Sequence, residues 1–422
     1  MLQVNFLRDN KERVLEGLKK RQFKNLELVD EAIAADDERK RIQFELDSQL
    51  SEINKISKEI GLLMKEGKKE EAESAKSKTA QYKESSSELK SQLEVKENDL
   101  LNILYQLPNI PNELVKSGAS ADDNEMIFQS HPVEGLGEGA IPHWELAKKY
   151  NLIDFELGVK IAGAGFPVYL GKGARLQRAL VQYFLDKNVE KGYTEVNPPH
   201  VVNEASGFGT GQLPDKEGQM YYINEDKLYL IPTAEVPVTN LYRDVLLEEK
   251  DLPIKNTAFS QCYRREAGSY GAHVRGLNRL HQFEKVEIVR IEKPENSYAV
   301  LEEMVEHIKE ILTDLELPFR VLRLCGGDTG FASAMTYDFE VWSAAQEMWL
   351  EVSSVSNFET FQANRLKCRY KGDGKSQLVH TLNGSAMALP RIMAALLENN
   401  QTAEGIKLPK KIAEYARFEV IN

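Results

Sequence analysis

The sequence predicts an α+β protein: an N-terminal antiparallel α-helical coiled-coil arm, followed by a domain built on an antiparallel β-sheet flanked by helices. Three observations lead there. Residues from about 36 to 107 contain no proline and repeat their apolar positions every three and four residues. Pro108 and Pro111 then end that pattern. Beyond about residue 160, strand-like runs follow one another largely without crossover helices, which suits antiparallel pairing better than a doubly wound sheet.

The arm is read from a seam. Ile42, Leu46, Gln49, Ile53, Ile56, Ile60 and Leu63 alternate steps of four and three, and the alternation resumes at Ala75, Thr79, Tyr82, Ser86, Leu89, Leu93, Lys96, Leu100, Ile103 and Leu107. Sustained spacing of this kind marks a coiled coil. Gly67, in MKEGKKE, is the natural turn, so the helices fold back on each other. About 30 residues per helix at 1.5 Å each give a projection of roughly 45 Å. Residues 36–100 carry 13 basic and 16 acidic residues, whereas the distal part, 55–83, carries 8 and 5. An otherwise acidic chain concentrates positive charge at this tip, which favours a polyanion there over a plain dimerisation hairpin. The expected division is 1–107 for the helical domain and 108–422 for the sheet domain, with a connector over about 108–140.

Composition narrows the function. A net charge of −12 argues against a general nucleic-acid coat protein while leaving room for a local grip. Cys262, Cys325 and Cys368 are far apart, and the seven histidines fall in no zinc-like spacing. Free thiols in a reduced, cytoplasmic setting follow. No run of about 18 apolar residues predicts a membrane span, and the N-terminus has no signal-peptide core.

In the second domain, ARLQRALVQYFLDKNVEKG (174–192) is amphipathic and ends at a glycine, as a helix does. YTEVNPPHVV reads as a strand broken by Pro198 and Pro199. KLYLI, NTAFSQCYR, QFEKVEIVRI, FRVLRL, TYDFEVW, EMWLEVSSV and LVHTLN read as further strands. Neither GxGxxG nor GxxxxGK[ST] occurs, so neither a Rossmann nor a P-loop nucleotide site is expected.

One hairpin carries unusual charge. CYRREAGSYG (262–271) leads from a strand through Arg264, Arg265 and Glu266 into a glycine-rich tip, and LHQFEKVEIVRIE returns as a strand. With a period of two, Arg264 and Glu266 share one face and Arg265 takes the other. Arginine keeps its charge, and its fork matches phosphate oxygens. Arg264 is therefore placed to meet a phosphate, Glu266 a base amino group, and Phe283 the plane of that base. The same residues also suit a hairpin held by an ion pair across its neck.

The order GYTEVNPP (192–199), YRREAG (263–268) with GLNRLHQFEKVE (276–287), and LNGSAMALPRIMAALLEN (382–399) resembles motifs 1, 2 and 3 of class II aminoacyl-tRNA synthetases. Within that class it is similar to the bacterial-type seryl-tRNA synthetases, supported by PHWEL, IPTAEVP, EVSSVSNFETFQANR and HTLNGS over essentially the whole chain. The resemblance implies ATP as substrate, Mg²⁺ beside it, and L-serine as the amino acid. It implies tRNA(Ser) as partner, with tRNA(Sec) a second where the organism has one, and a homodimer with Pro199 at its interface. It places Arg264 on the α-phosphate, Glu266 and Phe283 on adenine, and Arg391 on the γ-phosphate, with Arg264 and Arg391 as the catalytic pair. Arg265, Val352 and Ser353 complete the ATP set. Glu351 and Ser354 would hold Mg²⁺. Thr233, Ala234, Glu235, Glu287, Asn383 and Ser385 would receive serine. Ala386 and Pro390 depart from the family's glycine pattern. A helix starting near 389 would hold Pro390 in its first turn, where proline is tolerated; one starting at Ser385 would lose a hydrogen bond. The flexible tip, with His273, Arg275 and Arg279, would meet the tRNA acceptor end. Two rivals share parts of this pattern: an amino-acid:carrier-protein ligase and a non-catalytic RNA-binding scaffold. The full arm speaks against the first, and Arg264, Glu266, Glu351 and Arg391 together speak against the second.

Overall fold

The computed structural model describes residues 1–422 except 138, 216, 267–274 and 373. The chain forms two compact units, one of Leu2–Lys19 with Phe23–Pro108 and one of Met1, Lys20–Gln22 and Asn109–Asn422.

In the first unit, helices α1 (Leu28–Lys65) and α2 (Lys69–Leu104) run for 38 and 36 residues. At 1.5 Å per residue they reach roughly 57 and 54 Å, longer than the seam alone suggested, because α1 begins well before the first seam residue. The turn is made where glycine was expected. Gly67 takes φ +76°, Lys68 N–H donates to Leu63 O at 3.0 Å, and Gly67 N–H donates to Met64 O at 3.4 Å. This is a Schellman stop, whose left-handed residue suits glycine. Ile42 and Leu46 pack on Leu89 and Leu93. Nearer the tip the buried positions are small, namely Ala72, Ala75 and Thr79. Tyr82 departs from the expected seam and is 36% exposed. Between helices held close by Ala75, Thr79 and Ser86 a phenol ring has no room, and it turns outward.

The second unit is organised by eight strands: β1 (Glu125–Gln129), β2 (Thr194–Glu195), β3 (Ile254–Tyr263), β4 (Gln282–Glu292), β5 (Phe319–Arg323), β6 (Met335–Ser343), β7 (Met348–Asn357) and β8 (His380–Ala388). They are ordered β1-β5-β6-β7-β8-β4-β3-β2. Every neighbouring pair is antiparallel except β2–β3. The run YTEVNPPHVV forms only the two-residue β2 and a separate short strand, Val201–Asn203, because Pro198 and Pro199 cannot donate to a ladder.

Helices α3 (Gly171–Glu190), α4 (Ser297–Asp314) and α5 (Leu389–Asn399) cover one sheet face. Their Leu180, Phe184, Met304, Ile308, Ile392 and Leu396 share a core with Val286 and Ile288 of β4. On the other parity of the same strand, Val289 and Ile291 pack with Ala234, Ala258 and Leu366 in a second cluster. β4 is thus buried on both faces, and polar side chains set into it are withdrawn from water. Helix α5 starts at Leu389, so Pro390 lies in its first turn and costs no intrahelical bond. Among the described residues no helix is long and apolar enough to cross a membrane.

Candidate functional site

The neck of the charged hairpin differs from the simple strand expected. β3 ends at Tyr263. Arg264 N–H still donates to His281 O at 2.9 Å, the last rung, but Arg265 N–H donates to Gln219 O at 2.8 Å and Glu266 takes φ +48°. The chain has left the ladder, so alternation no longer decides where these side chains lie. The Arg264 guanidinium sits 5.3 Å from the centre of the Phe283 ring. Glu266 pairs with Arg279, Nε to Oε2, at 3.0 Å. The ion pair across the neck therefore exists, and the arginine–aromatic stack stands beside it. Arg265 is exposed. Residues 267–274 of the tip, including His273, lie outside the described residues, while the Arg275 guanidinium sits 4.6 Å from the centre of the Trp144 ring.

One and two strand repeats inward, Lys285 and Glu287 follow Phe283 on the same parity of β4. Glu287 is 2% exposed and forms an ion pair with buried Lys285. Thr233 donates its hydroxyl to Glu287 Oε2 at 3.1 Å and accepts from Glu235 N–H at 3.1 Å. Gln362 holds the buried Glu235 through Nε2 to Oε1 at 2.7 Å, and is itself fixed by the Thr381 hydroxyl at 2.7 Å. Burial, then the charge of Glu287, raises the Glu235 carboxyl to about 7. Burial also raises Glu287, against the pull of Lys285. β8 brings Ser385 opposite Glu287 and Asn383 opposite Val289. A one-residue bulge in β8 follows Ser385, since Lys285 pairs with Ala388. The Ser385 carbonyl accepts from the Ser353 hydroxyl at 2.5 Å. Ala234 is buried in the second apolar cluster. Thr233, Glu235, Glu287, Asn383 and Ser385 thus come from three separate segments into one buried polar cluster.

Glu351 and Ser354 are three apart, a spacing that puts two residues on opposite faces of a regular strand. The structure resolves this with a bulge. Phe339 pairs with Ser353 but Glu340 pairs with Glu351, so β7 carries Val352 as an extra residue. Glu351 and Ser354 then stand opposite Glu340 and Asp338, two apart on β6 and hence on one face. The Val352 side chain points into the main core. Asp338 Oδ1 is buried and has no hydrogen-bond partner among the described residues. Burial, then the charge of Glu351, holds the Asp338 carboxyl well above the usual carboxylate range. Arg391, at the start of α5, donates from Nε to Asn278 O at 2.9 Å and from Nη1 to Glu351 O at 2.8 Å. Its Nη1 also lies 3.7 Å from Glu351 Oε2. Among the described residues no group of three or more His, Cys, Asp or Glu side chains is arranged to hold a metal ion. The Glu351, Ser354 and Asp338 set instead fits Mg²⁺, which takes one or two carboxylates and fills its shell with phosphate oxygens and water.

Sequence reasoning missed Lys285, Gln362 and Asp338. Only Lys285 had a faint signal, a charged residue inside an apolar strand run; Gln362 lies on the short helix Thr360–Leu366 and Asp338 on the half-buried parity of β6, where a polar residue is ordinary. A cavity of about 1070 Å³, lined by Trp144, Phe155, Phe166, Glu266, Arg279 and His281, opens beside the neck. Thr233, Glu287 and Arg391 do not line it.

Comparison with known proteins agrees with this arrangement. Residues 1–111 match the seryl-tRNA synthetase N-terminal domain, and residues 220–400 match the tRNA synthetase class II core domain (G, H, P, S and T). The serine–tRNA ligase of Salinibacter ruber is 50% identical over 99% of this chain and 98% of its own length. Seryl-tRNA synthetase from Pyrococcus horikoshii, solved in complex with ATP, is 32% identical and superposes with a TM-score of 0.91, covering 100% of this chain and 99% of that one. The cytoplasmic serine–tRNA ligase from Naegleria fowleri, in complex with AMP, is 25% identical with a TM-score of 0.86 over 100% and 99% of the two chains.

Proposed function

The chain belongs to the seryl-tRNA synthetase family, and we propose on that premise how its residues join serine to tRNA. It is a serine–tRNA ligase with ATP as its substrate. A serine carboxylate oxygen attacks the α-phosphorus, the bond to the β-phosphate oxygen breaks, and pyrophosphate leaves. A hydroxyl of the tRNA 3′ ribose then attacks the seryl carbonyl and AMP departs. Neither step needs a protein nucleophile; both need reactants held in line and charge neutralised.

Arg264 takes the α-phosphate and Arg391 the γ-phosphate. Glu266 and Phe283 hold adenine. Glu351 and Ser354, with Asp338 adjacent, hold Mg²⁺, which when bound offsets triphosphate charge. Glu235 receives the serine ammonium. Thr233, Glu287 and Ser385 surround its hydroxyl, with Asn383 bonded to Glu235. Lys285 partly offsets the burial that raises Glu287. A site built to bond a hydroxyl rejects the analogue lacking it by roughly 10⁴-fold, which disfavours alanine, while the extra methyl disfavours threonine.

The observation that carries this reading is the buried polar cluster of Thr233, Glu235 and Glu287, with Glu287 two strand repeats from Phe283 on β4. Residues 1–107 form the tRNA-binding domain and 108–422 the catalytic domain. The arm reads the long variable arm of tRNA(Ser), and of tRNA(Sec) where present. The chain works in the cytoplasm as a homodimer through motif 1, where Pro199 is exposed. Charging of a tRNA(Ser) transcript tests this: seryl-tRNA forms with the intact chain. With 36–100 replaced by a short linker, charging collapses while seryl-adenylate still forms. Full charging by the arm-less chain would remove the assigned role of the arm.

A further inference from the structure

A fully buried polar cluster outside the groups used above touches the returning limb of the charged hairpin. His143 opens the short helix His143–Lys149, and Glu398 lies on α5; neither side chain is exposed to solvent. His143 Nδ1 is 2.7 Å from Glu398 Oε1, and the backbone N–H of Leu277 donates to His143 Nε2 at 2.9 Å. A carboxylate only accepts and a backbone N–H only donates, so these partners place the imidazole proton on Nδ1 and leave Nε2 bare.

The cluster continues in both directions. Glu398 also accepts from the His143 backbone N–H at 2.9 Å, from Gln346 Nε2 at 3.0 Å and from the Ser343 hydroxyl. Gln346 Oε1 accepts from Asn278 Nδ2 at 2.8 Å. The Asn278 carbonyl is the oxygen that receives Arg391 Nε at 2.9 Å. On the near side, Gly276 takes φ +67°, and a Cβ there would lie 2.2 Å from His143 Nε2. The imidazole therefore packs directly against the backbone of the limb. Three consecutive residues, 276–278, are each fixed by this cluster, and the third aims the arginine.

We propose that His143, held by Glu398, is a positioning residue for adenylate formation. It locks residues 276–278 and, through the Asn278 carbonyl, sets the guanidinium of Arg391 toward the triphosphate. This rests on the reading that Arg391 meets ATP. A long arginine side chain loses conformational entropy on binding unless its plane is fixed beforehand. Here bonds from Nε and Nη1 to two backbone carbonyls fix that plane, and one of those carbonyls is supplied by the limb that His143 holds.

Two amide replacements separate the two imidazole bonds, read by serine-dependent ATP–pyrophosphate exchange. His143→Gln carries its amide oxygen near the Nε2 position and can still accept from Leu277. His143→Asn places its amide near Nδ1, keeps the bond to Glu398 and leaves the Leu277 N–H without an acceptor. Expected for His143→Asn is a rise in the KM for ATP of about tenfold or more, the scale of one orphaned buried donor. The KM for serine should stay within about twofold, and His143→Gln should recover most of the loss. Equal effects of the two variants, or equal rises in both KM values, would overturn the proposal. Gly276→Ala pushes the limb from the opposite side and gives the same selective rise; it carries the test if His143→Asn does not fold, and an unchanged KM for ATP there also overturns it. Arg391→Ala is run in parallel. If it leaves exchange intact, the placement of Arg391 on ATP has failed. If it abolishes exchange while His143→Asn and Gly276→Ala behave as wild type, only the positioning role has failed.

Discussion

At the end of the site assigned to serine, the charged side chains are withdrawn from water: Glu287 and Lys285 are 2% and 6% exposed and Glu235 is 8%. At the end assigned to ATP they are open, with Arg391 at 28% and Glu351 at 52% side-chain exposure. Both ends are built around the same sheet. The difference follows from what each must recognise. A triphosphate brings its own large charge, so half-open arginines suffice and act mainly on the reaction's charge. Serine offers one ammonium and one hydroxyl, so selectivity requires groups that suffer when left unpaired.

That contrast makes the expected damage unequal. Arg391→Ala removes a phosphate contact without opening a core cavity, and exchange should fall roughly 10²–10³-fold with the fold intact. Near-normal exchange would erase the distinction between the two ends. Glu287→Ala strikes the buried end. It strands Lys285 and orphans the Thr233 hydroxyl, so thermal stability should drop. The KM for serine should rise roughly tenfold to a hundredfold, and the preference for serine over alanine should shrink. Equal losses for serine and alanine would make Glu287 a structural partner only.

The raised carboxyl of Glu235 sharpens the same contrast through pH. With its titration near 7, Glu235 is charged above that pH and neutral below it. Only the charged form pairs with the serine ammonium. The KM for serine should therefore climb as pH falls below 7, approaching about tenfold per unit, while the KM for ATP changes less. Glu235→Gln should raise the KM and flatten its pH dependence. A pH-independent KM in the native chain would show that the pocket does not use this carboxylate.

The smallest effects belong to single charges on the arm. Changing several of Lys55, Lys58, Lys65, Lys68, Lys69, Lys76, Lys78 and Lys83 to alanine should weaken tRNA binding a few-fold each and flatten its salt dependence, because fewer counterions are released. Helicity should not change, since the seam is untouched. An unchanged salt slope would place recognition elsewhere.

Legibility followed the same division. The arm could be read almost residue by residue, because three-four spacing depends only on local periodicity; only where small residues bring the helices together did Tyr82 escape the pattern. The strands of the sheet were legible as runs. Their bulges were not, since an extra residue such as Val352 is defined by its partner strand rather than by its neighbours. Without that bulge Glu351 and Ser354 cannot share a face, so their common role followed from the family resemblance alone. The positive φ of Glu266 and the pairing of His143 with Glu398, 255 residues apart, were invisible for the same reason. Each is decided by a contact that only the folded chain makes.

The central claim, that one end of the sheet site selects serine for attack on ATP, meets its most direct test in ATP–pyrophosphate exchange by the intact chain. Serine, alanine and threonine are compared at equal concentration without tRNA. Exchange should require serine, with alanine lower by roughly 10⁴-fold in kcat/KM and threonine also rejected. Exchange that is absent with serine, or as fast with alanine, would contradict it.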